Sequence, residues 1–84
     1  MDAKRRRRLV NQKIMIEVFK TNVHQEQAAI ELLDLLVKTF PNLEINFDLE
    51  DCDKILRVCG CNFRSDDIRK CLERHGFACE LLND

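Results

Sequence analysis

Between Lys13 and Phe40 an apolar alternation passes into a three-four-spaced pattern with no Gly or Pro at the junction. That join constrains the fold more than any other stretch. From Lys13 to Lys20, Ile14, Ile16 and Val18 alternate with Met15, Glu17 and Phe19, the period-two signature of a strand with one buried face. Ala29, Leu32, Leu33, Leu36, Val37 and Phe40 then recur at steps of three and four, and Pro41 ends the run. Asn22 and Gln25 have the offset of a capping pair, so the helix is expected to begin there.

The remainder supplies three more strands and a second helix. Leu43, Ile45, Phe47 and Leu49 alternate with Glu44, Asn46, Asp48 and Glu50, and the polar cluster through Asp53 predicts a turn. Lys54 to Cys59 reads as a third strand, with Leu56 and Val58 on one face and Ile55, Arg57 and Cys59 on the other. Ser65 suits an N-cap, with Asp66 and Asp67 favoured by the positive end of a helix. Ile68, Cys71, Leu72 and His75 continue that helix, and Gly76 can stop it in the left-handed conformation. Phe77, Cys79 and Leu81 alternate with Ala78, Glu80 and Leu82 as a last strand.

The order βαββαβ predicts an α+β fold of the split βαβ, or ferredoxin-like, type. Right-handed crossovers place two helices on one face of a four-stranded antiparallel sheet, with the first and third strands central. The other face is expected to stay open, showing Met15, Phe19, Ile55 and Cys59 among Glu17, Glu44, Asp48, Glu80 and Arg57. Met15, Phe19 and Ile55 are then a candidate interaction surface, because bare apolar groups gain by being covered.

Eighty-four residues support one domain with a modest core. The net charge of −1 is unevenly placed: six basic residues against Asp2 give residues 1–13 a charge of +5, which leaves −6 on the rest. Residues 1–12, with Arg5, Arg6, Arg7 and Arg8, are expected to form a disordered basic arm ahead of a domain at 13–84; a start at Met15 would remove the arm. Phosphate contacts with nucleic acid are one use for such a run and a solvated tail the other. The acidic body and the lack of interleaved aromatics favour the tail. No apolar run reaches the roughly 20 residues of a membrane span, and no signal-peptide pattern is visible. Five cysteines, an odd number, then point to reduced thiols and a cytoplasmic setting.

From Lys13 to Leu82 the chain resembles the heavy-metal-associated domain of copper chaperones and metal-transporting ATPases. The likeness lies in the Ile-Glu-Val strand, the helix ending in an aromatic and Pro41, the Leu-Glu-rich second strand, and the closing Gly76-Phe77-Ala78-Cys79-Glu80-Leu81. The resemblance implies the same fold and a Met-Thr-Cys-x-x-Cys loop gripping a soft ion such as Cu(I). Its two cysteine positions fall near Glu26 and Ala29, and no Cys precedes Cys52. The usual thiolate grip is therefore missing.

Two other groups are candidate metal ligands for Cu or Zn. His24, Cys52 and His75 belong to three loops that the topology brings to one end of the sheet, with Asp51 or Asp53 nearby. Cys59 and Cys61 form a C-x-C at the opposite end. Cys71 and Cys79 fall on buried faces as small apolar side chains. No phosphate loop, catalytic pair or acylphosphatase-like Arg loop is present, and a single Phe among acidic neighbours does not make a base-stacking platform. The reading is a non-catalytic module that binds a protein partner or a second copy through its open sheet face or edge; soft-metal binding through other Cys and His residues is the alternative, and nucleic-acid binding by the arm a weaker one.

Overall fold

β-branched and aromatic side chains from Met15 to Thr21 form the first strand, β1, in a computed structural model that describes residues 14–82. The expected basic arm lies outside the described residues, as do residues 83–84. β1 is followed by α1 (Glu26–Thr39), β2 (Glu44–Asp48), β3 (Ile55–Gly60), α2 (Ser65–Arg74) and β4 (Cys79–Leu81). The fold is α+β, with two helices and one four-stranded antiparallel sheet in the order β2-β3-β1-β4.

The helices begin differently from the expected capping pattern. α1 starts at Glu26, after an extended Gln25 that makes no side-chain cap. Asn22 is used elsewhere: its Oδ1 accepts the Ala78 backbone N–H at 2.8 Å, tying the loop after β1 to the segment entering β4. Ser65 is the first residue of α2 rather than its cap. Gly76 does take the left-handed conformation, at φ 87°, where a Cβ would be strained.

The core is set by register. Phe19 pairs with Leu56 on one side and Leu81 on the other, while Glu17 pairs with Val58. Ile45 and Phe47 of β2 continue the row through Val58 and Leu56. Since directly opposed residues share a face, these side chains form one surface. Ala29, Leu32 and Leu36 from α1, and Ile68, Cys71 and Leu72 from α2, join the same buried cluster.

This register corrects the expected facing of β1. Phe19 has no solvent exposure and Met15 packs against the core, whereas Ile16 is 64 % exposed. The cause is the segment beyond the strand: Thr21 and Val23 follow Phe19 in phase and are buried. Thr21 makes that burial tolerable by donating its hydroxyl to the Lys54 carbonyl at 2.6 Å and accepting the Val23 N–H at 3.2 Å. β3, by contrast, faces as expected, with Leu56 and Val58 inward.

Candidate functional site

With Met15 and Phe19 inward, the other face of the sheet acquires a different centre. Along β1 and β3 the opposed pairs there are Ile16 with Cys59, Val18 with Arg57 and Lys20 with Ile55. β2 adds Glu44, Asn46 and Asp48, and β4 adds Glu80 opposite Lys20. Ile16 is the most exposed apolar side chain among the paired strand residues of this face, Val18 and Cys59 are half-buried, and Ile55 is only 5 % exposed between Lys20 and Asp48. Of the three residues expected at the centre, only Ile55 lies on this face. Ile16 and Val18 take the places of Met15 and Phe19.

The missed pair was legible in one respect. Following the odd-numbered set past the end of the strand to Val23 shows that it contains the largest side chain and the longer apolar continuation. The even-numbered set stops at Lys20.

The three loops expected to share one end of the sheet do meet. The Thr21 N–H reaches the Asp53 carbonyl at 3.1 Å, and Asn22 holds Ala78. The proposed ligands do not converge with them. Among the described residues, the group of potential ligands within reach of one ion is Asp51, Cys52 and Asp53, and neither His24 nor His75 belongs to it. His75 sits at the end of α2 with Nδ1 at 2.9 Å from the Cys71 carbonyl oxygen, a contact that orients the ring locally. Asp51 has its own structural use, since Oδ1 accepts the Asp53 N–H at 2.9 Å and shapes the hairpin turn.

At the opposite end, Cys59 and Cys61 line one open groove of about 650 Å³, together with Ile14, Phe40, Leu43 and Phe63. Both thiols are half-buried. Paired thiolates suit a soft ion of low coordination number, whereas structural zinc needs four ligands. Gly60 lies between them because a Cβ there would run into the Leu43 side chain.

Cys71 and Cys79 are buried within the core cluster. Burial pushes the Cys71 thiol above its ordinary range, opposed by nearby Arg74. Burial, reinforced by Glu73, pushes Cys79 up to about 12. Neither forms the thiolate that nucleophilic or metal chemistry requires near neutral pH.

A second groove, of about 410 Å³, runs between α1 and β2. It is lined by Ala29, Ile30, Leu33 and Phe47 together with Glu26, Asp48 and Glu50. Among the described residues none of these three carboxylates is in an ion pair. No helix of the described residues is long and apolar enough to cross a membrane. Comparison with protein-family models, with curated proteins and with solved structures finds no match for this chain.

Proposed function

We propose that this chain is a non-catalytic binding module of ferredoxin-like arrangement, which uses the sheet face centred on Ile16 and Val18 to pair with a second copy of itself. The element order and the strand order β2-β3-β1-β4 support the arrangement. They also suit a relative of the heavy-metal-associated domains in which Glu26 and Ala29, in the first turn of α1, stand near the positions of the lost thiolates.

The observation that carries the binding role is the 64 % exposure of Ile16 beside half-buried Val18 and Cys59 in the middle of a sheet. Covering such side chains stabilises an assembly by about 25 cal/mol for each Å² of apolar surface removed from water. The surrounding charges favour a like partner. Lys20 and Arg57 share this face with Glu44 and Glu80, so a two-fold pairing can set cations of one copy against anions of the other.

Sedimentation velocity tests this reading. The wild-type chain should show a concentration-dependent dimer, and Ile16→Glu should sediment as a folded monomer at every loading. A wild type that stays monomeric at high loading, or a dimer indifferent to Ile16→Glu, would sink it.

A further inference from the structure

β2 and β4 form the two edges of the sheet. We infer that β2 takes an added strand from another protein, an extended segment in which Arg or Lys alternates with apolar residues. This site is separate from the Ile16 face and does not rest on it.

The backbone selects β2. It runs for five residues against three in β4, so it offers the longer row of N–H and C=O groups with no neighbouring strand among the described residues. Its two sets of side chains then set the pattern of the partner. Ile45 and Phe47 join the core row on the helix side, while Glu44, Asn46 and Asp48 face the other way. A residue in an added strand shares the face of the β2 residue opposite it. One set of added side chains therefore meets Phe47 and the neighbouring face of α1, and the alternate set meets Glu44 and Asp48.

The groove between α1 and β2 gives each set its chemistry. On the helix side Ile30 is 58 % exposed, and Leu33 and Phe47 are only partly buried. Asp48 and Glu50 line the same groove outside any ion pair among the described residues. Arg and Lys suit such a surface, since their stems lie on apolar groups while their heads reach carboxylates. Backbone pairing supplies the affinity and the alternation supplies the specificity, as in strand addition to other sheet edges.

A second copy of this chain fits the edge poorly. Pairing β2 with another β2 over its full length centres on Asn46 and sets Glu44 against Asp48 at both ends. Like charges directly opposed destabilise a strand pair. The carboxylates alone would serve to keep copies apart. They do not account for Ile30 left bare beside them, whereas a basic alternating strand uses both.

Titration calorimetry on the full chain, with a capped peptide of alternating Arg and Val about six residues long to match β2, tests the proposal. A block isomer with all its Arg before its Val has the same charge and should bind about tenfold more weakly or worse. In the double variant Asp48→Lys, Glu50→Lys the Arg/Val peptide should weaken by about tenfold while an alternating Glu/Val peptide gains, an exchange that an unfolded variant cannot give. Amide exchange should slow across Glu44 to Asp48 when the Arg/Val peptide binds, and stay unchanged across Cys79 to Leu81. Ile16→Glu should bind the peptide as wild type does. No binding, or equal binding of the two isomers, overturns the inference, the second outcome reducing it to charge attraction. So does slowing at β4, or loss of binding in Ile16→Glu, which would move the site to the sheet face. Slowing across Glu44 to Asp48 that follows protein concentration without peptide would assign the edge to a second copy and overturn it as well.

Discussion

The two faces of β1 carry similar apolar content and meet opposite fates. Met15, Phe19 and Thr21 turn into the molecule, while Ile16, Val18 and Lys20 turn out of it. What separates them is the company across the sheet. Phe19 stands between Leu56 and Leu81, and the row continues through Phe47. Val18 stands opposite Arg57, and Lys20 opposite Glu80. A strand's burial is thus decided by whether its neighbours extend the same surface, and a β-branched run can be left outside when they do not.

Truncating a side chain on each face tests that contrast. Phe19→Ala removes a side chain with no exposure from the centre of the core. It should cost about 3–5 kcal/mol in urea unfolding, a large part of the 5–15 kcal/mol typical of a whole domain. Ile16→Ala, one pleat away and mostly solvated, should change monomer stability by no more than about 0.5 kcal/mol while weakening association. Comparable losses at the two sites would mean that the faces are not distinct.

A smaller effect is expected at alkaline pH. The Cys79 thiol titrates near 12 in the folded chain against an ordinary 9.0, chiefly because burial disfavours the thiolate. The unfolded chain therefore loses this proton first. The resulting stability is intact below pH 9 and is lost as pH rises from about 9 towards 12. Its slope should lie below about 1.4 kcal/mol per pH unit, since solvent near the site screens the charge. Unfolding curves of wild type and Cys79→Ala should converge across that window. If their difference stays constant with pH, Cys79 is not held neutral by its surroundings.

The element order was legible in the sequence because alternation and three-four spacing report local geometry. Strand β3 could be faced correctly because Leu56 and Val58 oppose a set containing Arg57. β1 could not be faced by the same rule: each of its sets holds one charged residue, Glu17 in one and Lys20 in the other. The tie is broken beyond the strand, where Thr21 and Val23 continue the phase of Phe19 and are buried. The His24, Cys52 and His75 trio failed for a related reason. Topology brings loops together, but side-chain reach and local hydrogen bonds, such as that of His75 to Cys71, decide whether ligands converge.

One apolar face is sealed inside each molecule, and the proposed role of the other is to be covered by a second molecule. Methyl NMR with a soluble paramagnetic agent reads both faces together. In dilute protein the methyl signals of Ile16 and Val18 should broaden strongly, while those of Leu36, Leu56 and Val58 remain sharp. At high protein concentration Ile16 and Val18 should become protected as well. Ile16 and Val18 methyls that broaden equally at every concentration, or that are protected even when dilute, would contradict the account.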